Sequence, residues 1–550
     1  MNPRASLTRE HRAILLAVLV GSLTGLGVAV FDRIVAVGVF GRLARAPLAI
    51  QVGAPLVGLT LAAITLHVLG RGADPSTADE YIKNYHERGR RMDLRPVAAR
   101  LLASAFTLGS GVAMGFEGPS IYLGASIGTG IQKRASRWFS RDEAKVLMVA
   151  GAAAGVAAIF KAPATGALFA LEVPYQADLA RRMLLPALFS AASGYLVFVA
   201  INGIEPLFPA GGTPNLDFRD LAAAVAIGLI AGGAARAFAW LIRHAKSRSA
   251  AVHPAARVLA SGTAIGVLIV FSNALTGSTL ALGPGYRTIA WAVQPDHAVG
   301  VVLGLLVIRG AATVLAIGGG GVGGLFIPLV IEGALLGRAV GGIVGTPAST
   351  LFPVLGVAAF LGAGYRVPLA AVVFVAESTG KPGFVVPGLI AAAASQLTMG
   401  PRSVSMYQQT RRLGHLEGRL DLPLTSVVRT DAATVPPDAT LTDFVDHHLL
   451  GVRLLHVPVV DGSTYVGMIG LADVTEIERA RWPDTLVADA MRTDQPVAQL
   501  GWTVRRALTE LEAADTDRLV VLDGAAYVGL VTMGEILKLG EILDATEPIP

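Results

Sequence analysis

The stretch that decides the fold is GSGVAMGFEGPSIYLGASIGTG, which runs from Gly109 to Gly130. It places one carboxylate, Glu117, among glycines inside a long apolar run and directly before a Gly-Pro pair. Because proline is favoured in the first turn of a helix, a helix is predicted to begin here, and its free amides form an anion site. A carboxylate at membrane depth costs roughly 2.5–3.5 kcal/mol, which makes Glu117 a functional candidate. Since a movable carboxylate at such a site competes with a dissolved anion, we interpret Glu117 as a gate.

The composition places the chain among membrane proteins. Of its 550 residues, 53% are hydrophobic and 15% are charged, and the mean hydropathy is +0.59. Apolar runs that are long enough to cross a bilayer recur at 13–31, 48–69, 183–201, 221–242, 258–271 and 299–317. These runs predict a polytopic membrane protein, and we expect its first run to be a retained helix rather than a signal peptide.

The charges predict the orientation of the chain in the membrane. The net charge of +5 gives no indication of nucleic-acid binding, and the absence of cysteine excludes disulfides and thiol chemistry. Basic residues cluster at Arg88, Arg90, Arg91, Arg95 and Arg100, and again at Arg402, Arg411, Arg412 and Arg419. The positive-inside tendency puts both clusters in the cytoplasm. We therefore expect a multi-pass protein of a bacterial inner membrane with a cytoplasmic C-terminal domain.

Two repeated segments indicate a duplicated membrane domain. KAPATGALFALE at 161–172 matches RVPLAAVVFVAE at 366–377, and their prolines lie 205 positions apart (368 − 163). Such duplicated halves are typical of transporters, in which broken helices meet near the midplane, and we expect the halves to be antiparallel. IGGGGVGGLFIP at 317–328 is the second-half counterpart of the stretch around Glu117. The two breaks together predict opposing helix starts for one dehydrated anion.

The composition changes near Gly414, where short β-rich runs begin to alternate with polar segments. The runs at 455–477 and 518–539 both read strand, turn, strand and helix, and Gly467 aligns with Gly529. Two copies of one unit imply a paired tandem module. We therefore predict a membrane domain over 1–415 and a soluble α/β tail over 416–550, with copies at about 424–480 and 486–543.

The segments GFEGP, GGLFIP and APxxGxLFxLE closely resemble the CLC family of chloride channels and proton-coupled chloride exchangers. The tail is similar to the pair of CBS modules that many CLC proteins carry. The resemblance implies an all-α membrane protein with a CLC-like inverted repeat of broken helices, a cytoplasmic α/β CBS tandem, and a homodimer with one pore in each subunit. It also implies that Glu117 is the external gating glutamate. The backbone amides that would bind the anion are those of Gly115, Phe116, Leu325, Phe326 and Ile327.

Four departures from the family pattern bear on the site. Gly72 aligns where a serine hydroxyl usually contacts the central anion, and Ser403 aligns where a tyrosine usually closes the site. Tyr407 would compensate for Ser403 in a shifted register. Phe116 stands where the family usually has Arg or Lys. Val173 stands where exchangers commonly carry an internal proton-accepting glutamate, directly after Glu172.

Valine cannot carry a proton, so we predict uncoupled, channel-like conduction of chloride or a similar anion, with a proton-coupled chloride antiporter as the alternative. Nitrate, bicarbonate and fluoride remain open as substrates, and fluoride is disfavoured by the filter. An intramembrane enzyme is disfavoured because no catalytic motif lies at membrane depth. A nucleotide sensor with only a membrane anchor would not need paired anion-binding breaks. We expect Glu172 and Glu377 to be structural, either capping broken backbone or pairing with Lys161 and Arg366.

We expect no required cofactor, no metal site and no catalytic residue. The resemblance to CBS pairs raises binding of an adenine nucleotide, for which a Ser/Thr and an Asp follow the last strand of a module. The first copy has Asp473 but Gly470 at the hydroxyl position, whereas the second has Thr532 but Glu535 in place of Asp. Each copy is therefore incomplete, and a structural role in the dimer is the competing hypothesis.

Overall fold

The computed structural model describes residues 9–87, 92–139, 145–205, 217–295, 297–346, 349–410, 420–451 and 455–546. The chain divides into two compact units, Met1–Arg412 and Leu413–Pro550. Six of the basic residues from which the orientation was predicted lie outside the described residues: Arg88, Arg90, Arg91, Arg411, Arg412 and Arg419.

The first unit is helical. Its helices are α1 Arg9–Phe31, α2 Gly41–Leu43, α3 Leu48–Val68, α4 Ala78–His86, α5 Val97–Gly109, α6 Glu117–Arg134, α7 Val146–Phe160, α8 Pro163–Glu172, α9 Leu184–Asn202, α10 Phe218–Ser249, α11 Pro254–Thr276, α12 Tyr286–Ala292, α13 Val299–Gly318, α14 Phe326–Ile343, α15 Leu351–Gly364, α16 Pro368–Thr379 and α17 Val385–Met399. A π-helical segment, Asp32–Phe40, joins α1 to α2, and short 3₁₀ turns lie at Ser136–Trp138, Arg181–Met183 and Pro382–Phe384.

Eight helical stretches within the described residues are long and apolar enough to cross a bilayer. Six of them coincide with the predicted runs, which confirms a multi-pass membrane protein. The two others are Phe326–Ile343 and Pro382–Met399. The first was missed because Glu332 and Arg338 interrupt its apolar sequence, and both side chains are buried inside the protein.

The internal repeat is visible in matching backbone geometry. Helices α7 and α15 are followed, at corresponding positions, by Lys161 and Arg366, which adopt left-handed conformations with φ of 54° and 55°. Two residues later, Pro163 and Pro368 open α8 and α16, where a missing N–H costs no hydrogen bond. The same break therefore occurs once in each half.

The glutamates of the repeat cap each other's helices. Glu377, near the end of α16, accepts hydrogen bonds at the start of α8, with 2.8 Å to the Thr165 amide and 2.6 Å to its hydroxyl. Glu172, at the end of α8, accepts from the Ala370 amide at the start of α16 at 2.9 Å. Because each C-terminal end meets the other helix's N-terminus, α8 and α16 run antiparallel. The expected inverted arrangement is confirmed.

The cations of the repeat contact carbonyl groups instead of these glutamates. Lys161 Nζ donates to the carbonyl of Glu205 at 3.1 Å, and Arg366 Nε donates to the carbonyl of Gln176 at 3.1 Å. The sequence left two structural roles open for Glu172 and Glu377, which were capping of broken backbone and pairing with Lys161 and Arg366. The contacts correspond to capping.

The second unit contains one five-stranded sheet in the order β1-β2-β5-β4-β3. Its strands are β1 His456–Asp461, β2 Thr464–Gly470, β3 Val497–Gln499, β4 Arg518–Asp523 and β5 Ala526–Thr532. Its helices are α18 Leu441–Phe444, α19 Leu471–Thr475, α20 Val487–Ala490, α21 Val504–Ala513 and α22 Met533–Thr546, with a π-helical segment at Val445–Gly451 and 3₁₀ turns at Leu424–Ser426 and Arg479–Asp484.

The two hairpins of this sheet are copies of each other. In the first hairpin Val459 faces Gly467, and in the second Val521 faces Gly529; each register shifts directly after that pair. Each copy packs its own apolar core, one around Phe444 and the other around Leu519. The predicted tandem repeat is therefore present in the fold.

Candidate anion site

The two glycine-rich breaks meet in space and pair through their backbones. The Gly115 amide donates to the Gly324 carbonyl at 2.9 Å, and the Gly324 amide donates to the Gly115 carbonyl at 2.8 Å. Helix α6 begins two residues after Gly115, and α14 begins two residues after Gly324. The bridge therefore holds the free amides of both helix starts beside one another, as the sequence predicted for the two breaks.

The Glu117 carboxylate lies at the start of the opposing helix. The residue is 1% exposed, and its Oε1 accepts a hydrogen bond from the Phe326 amide at 2.5 Å. The Ile327 amide also faces this carboxylate. Oε2 is buried and finds no hydrogen-bond donor among the described residues. A buried group that is only half satisfied costs roughly 1–3 kcal/mol or more, so this position does not hold the carboxylate tightly.

Glycine is required on both sides of the carboxylate. A Cβ atom at Gly324 would lie 2.1 Å from Glu117 Oε1, and one at Gly115 would lie 1.9 Å from Oε2. Both distances are far shorter than any van der Waals contact. The glycines therefore create the space in which the carboxylate, or an anion of similar size, contacts bare backbone.

The amides that were predicted to bind the anion have different partners. Those of Phe326 and Ile327 face Glu117, and that of Leu325 faces the hydroxyl of Tyr365. The Gly115 amide is used in the bridge to Gly324, so the expectation that it binds an anion is corrected. Phe116 directly precedes α6.

A cavity of about 220 Å³ reaches the site. Leu325 and Tyr365 line it, together with two acidic residues, Asp74 and Asp79, and two basic ones, Lys246 and Arg257. Lys246 Nζ lies 2.6 Å from a carboxylate oxygen of Asp79, whereas Arg257 Nη1 donates to the Ser249 carbonyl at 3.3 Å. The two acidic and two basic residues cancel in formal charge over the whole wall, so any attraction of anions is local to the Arg257 guanidinium.

Tyr365 is a site residue that sequence reasoning missed. Its side chain is buried, and the Leu325 amide faces its hydroxyl. A hydroxyl carries a hydrogen that it can donate, and an anion is a suitable acceptor. The repeat contained a signal, because the position 205 residues earlier is Phe160, so the second half alone adds a hydroxyl.

The filter position assigned to Gly72 is also corrected. Gly72 is exposed, has a φ of 78°, and lies in the turn after α3. Thr77 lines the cavity instead, and its hydroxyl donates to the Gly323 carbonyl at 3.2 Å. The physical reason is that α4 begins only at Ala78, so the hydroxyl before this helix comes five residues later than the alignment placed it.

The structure separates Ser403 from Tyr407. The hydroxyl of Ser403 is buried and donates to the Gly364 carbonyl at 3.3 Å. Tyr407 lines the cavity, with the Lys83 ammonium 5.9 Å from the centre of its ring. The hydroxyl that meets the Leu325 amide belongs to Tyr365, so the compensation expected of Tyr407 comes from another element.

Val173 is buried directly after α8, and its carbonyl accepts a hydrogen bond from Gln408 Nε2 at 2.7 Å. Its side chain offers no proton-carrying group. The neighbouring Glu172 is engaged in capping α16. A proton route through this turn would therefore need a different titratable residue.

The candidate nucleotide residues of the second unit make local hydrogen bonds. Asp473 Oδ2 accepts from the Gly470 amide at 2.8 Å, and Oδ1 pairs with Arg492. Thr532 Oγ1 accepts from the Glu535 amide at 3.3 Å, and Glu535 Oε1 lies 3.2 Å from Lys538 Nζ. Over the part of the chain that the structure describes, no three His, Asp or Glu side chains converge as a metal site.

Comparisons with known proteins agree with this arrangement. The family model described as voltage gated chloride channel matches residues 57–400, and the CBS domain model matches 424–479 and 487–541. The H(+)/Cl(−) exchange transporter ClcA of Salmonella arizonae is 27% identical over 409 residues, which cover 70% of this chain and 84% of that protein. The ClcA protein of Citrobacter koseri is 28% identical over 328 residues, 56% of this chain and 68% of its own length.

Solved structures share the fold. A CLC-type fluoride/proton antiporter has a TM-score of 0.64 at 23% identity and covers 72% of this chain and 98% of its own. A eukaryotic CLC transporter has a TM-score of 0.59 at 19% identity and covers 95% of this chain and 98% of its own. The family match extends over more than half of the chain and includes both breaks. The chain therefore belongs to the voltage-gated chloride channel (CLC) family of membrane anion transporters, and it carries a C-terminal pair of CBS domains.

Proposed function

We propose that this protein exchanges chloride, or a chemically similar small anion, for protons across the membrane. The sequence favoured uncoupled conduction because of Val173. The curated relatives are named H(+)/Cl(−) exchange transporters, although at only 27% identity for the S. arizonae protein, and this supports the antiporter alternative. The absence of an acidic side chain at position 173 then means that protons take another route.

The observation that carries the proposal is the position of Glu117. Its carboxylate accepts a hydrogen bond from the free amide of Phe326 at a helix start, where a small anion would bind. When the carboxylate takes up a proton it loses its charge, and the bond from that amide weakens. The anion then replaces it. One position that holds either the carboxylate or the anion links the movement of the anion to that of the proton.

The anion route in this proposal follows the cavity from Arg257 to the Leu325 amide. Arg257 attracts the anion, and Tyr365 donates its hydroxyl hydrogen at the inner end of the site. We propose that the protein is a homodimer in a bacterial inner membrane, with the CBS pair on the cytoplasmic side. We further propose that the CBS pair stabilises the dimer, with binding of an adenine nucleotide as the competing role.

The proposal is tested by measuring chloride and proton fluxes together. Purified protein is reconstituted in liposomes with a chloride gradient, and the voltage is clamped with potassium and valinomycin. We expect chloride efflux to drive proton uptake in a fixed ratio. The same measurement on Glu117→Gln is expected to show chloride flux without proton flux.

Chloride movement without linked proton movement in the wild-type protein would overturn the proposal and establish uncoupled conduction. A fixed ratio that persists in Glu117→Gln would remove Glu117 from the coupling step.

A further inference from the structure

A coupled exchanger must bring protons to Glu117 from the side that lies opposite the gate. In this chain Val173 cannot accept a proton, and Glu172 is engaged as a helix cap. The inference below rests on the proposed function. A titratable side chain outside this segment contacts the turn formed by Val173 and Pro174.

That side chain is His86, the last residue of α4. It is partly buried, and its Nε2 lies 2.6 Å from the Pro174 carbonyl oxygen. A carbonyl oxygen only accepts hydrogen bonds, so in the neutral ring Nε2 carries the hydrogen and Nδ1 keeps its lone pair. His86 is thereby held in one tautomer, with Nδ1 as the basic atom.

The surroundings of His86 are polar and titratable. The rings of Tyr85 and Tyr175 contact it edge to face at 5.1 and 5.2 Å, and their hydroxyls lie 3.1 Å apart. The Lys145 ammonium donates to the carbonyls of Tyr85 and Glu87, at the C-terminal end of α4. Burial lowers the pKa of His86, while the hydrogen bond to Pro174 raises it and the Lys145 charge lowers it. The ring is therefore a neutral base at pH 7.

Hydrogen bonds connect this turn to the anion site. Gln408 Nε2 donates to the carbonyls of Val173 and Tyr365, both at 2.7 Å. Gln408 Oε1 is buried and has no donor among the described residues. This oxygen is therefore an acceptor between the Val173 turn and Tyr365. The hydroxyl of Tyr365 meets the Leu325 amide, and the next amide along the chain holds the Glu117 carboxylate.

A buried tyrosine on α4 adds another polar group between the anion cavity and His86. The hydroxyl of Tyr81 donates to the Ala170 carbonyl of α8 at 2.6 Å. Tyr81 lies four residues after Thr77, which lines the anion cavity, and five residues before His86. Helix α4 thus connects the anion cavity at its first turn with the His86 cluster at its last.

We propose that His86 is the residue that accepts protons at the inner end of the pathway to Glu117. Nδ1 takes a proton from a hydronium ion of the bulk solution, which leaves a water molecule, and the ring becomes an imidazolium ion. The ring then releases one proton inward and becomes neutral again, and that proton ends on a carboxylate oxygen of Glu117. Each cycle moves one proton and changes no other bond.

The test compares His86→Gln with the wild-type protein in the two-ion flux assay. Glutamine keeps an N–H group for the Pro174 carbonyl but cannot be protonated at pH 7. We expect proton flux to fall at least tenfold while chloride flux stays within about twofold. His244→Gln is the matched control, because His244 stacks on Trp240 within α10 and has no place in this cluster. It is expected to keep the wild-type ratio.

A second variant separates proton transfer from a structural role. Val173→Glu in the His86→Gln background puts a titratable group on the adjacent turn, and we expect it to restore proton flux. If His86→Gln does not assemble, His86→Glu is used, and coupling with an optimum shifted to lower pH is expected. Unchanged coupling in His86→Gln would overturn the role of His86 while leaving the exchanger intact. An uncoupled wild-type protein would instead overturn the exchanger proposal itself.

Discussion

At the residue scale, the proposed gate depends on a carboxylate that is bound by only one of its oxygens. Glu117 Oε1 takes the Phe326 amide, while Oε2 is buried without a donor among the described residues. A charge that was fully satisfied here would stay in place and block the site. Because only one of the two oxygens accepts a hydrogen bond, the free-energy difference between the bound and the released carboxylate stays small. A gate requires such a small difference.

Glu117→Gln removes the charge and keeps the shape. A neutral amide oxygen accepts a bond that is weaker by about 1.4 kcal/mol, so the open population, and with it the chloride flux, should rise about tenfold. The wild-type flux should rise as the external pH falls, because protonation has the same effect, and the variant should lose this dependence. Liposome flux at several external pH values measures both. Unchanged flux with unchanged pH dependence would refute the gate assignment.

Tyr365→Phe tests the hydroxyl that faces the Leu325 amide. Removing it deletes one hydrogen-bond donor to the anion, worth about 1 kcal/mol, so chloride should bind about fivefold more weakly in isothermal titration calorimetry. Tyr407→Phe is the matched control, since that ring lines the same cavity without meeting the Leu325 amide. Equal losses in both variants would contradict a specific role for Tyr365.

The sequence predicted those site residues whose role follows from neighbouring residues in the chain. It did not predict those whose role follows from tertiary contacts. Glu117 stood out because a carboxylate inside an apolar, glycine-rich run is rare. The engagement of the Gly115 amide could not be predicted, because its partner Gly324 lies in the other half of the chain. Gly72 was aligned with the filter serine because a motif of fixed length does not allow for the extra residues that precede α4.

At the element scale, the two halves are joined by an exchange of helix caps. The Glu377 carboxylate takes the first amides of α8, and the Glu172 carboxylate takes those of α16. Each cap satisfies donors that have no partner within their own helix. Because the capping residue comes from the other half, the halves cannot separate without leaving those amides buried and unpaired.

Glu377→Gln should therefore destabilise the membrane unit. The substitution removes the charge that accepts three hydrogen bonds, from the Ala164 amide and from the amide and hydroxyl of Thr165. This loss should cost about 1–2 kcal/mol, which lowers the apparent Tm by a few degrees. Thermal unfolding in detergent measures this change. Glu205→Gln is the control, because Glu205 is exposed and the substitution is chemically identical. A Tm equal to that of the wild type would mean that the cap contributes nothing to stability.

The elements themselves could largely be predicted from the sequence. Long apolar runs gave six of the eight stretches that, within the described ranges, are long and apolar enough to cross a bilayer, and the matched prolines marked the breaks. Helix α14 was not recognised as a span, because its burial inside the protein permits Glu332 and Arg338 in a sequence that lipid would exclude. Hydropathy reports exposure to lipid and not depth in the membrane.

At the scale of the whole molecule, the membrane unit and the CBS pair each repeat one building block. The membrane unit uses its repeat to bring two helix starts together. The CBS unit aligns two hairpins in one sheet with the same register and the same irregularity. The second repeat is nevertheless chemically asymmetric, since Asp473 occurs without a hydroxyl at Gly470 and Thr532 occurs without an Asp at position 535.

This asymmetry leads to a prediction about nucleotides. Asp473 already accepts hydrogen bonds from the Gly470 amide and from Arg492, so a nucleotide hydroxyl would compete with both for this carboxylate. We therefore expect no binding heat when ATP or AMP at millimolar concentration is titrated into the full-length protein. Glu535→Asp completes the pair with Thr532 in the second copy, and this variant should gain measurable affinity. If wild-type protein binds either nucleotide in the micromolar range, the CBS pair is a nucleotide site despite its incomplete copies, and a purely structural role is wrong.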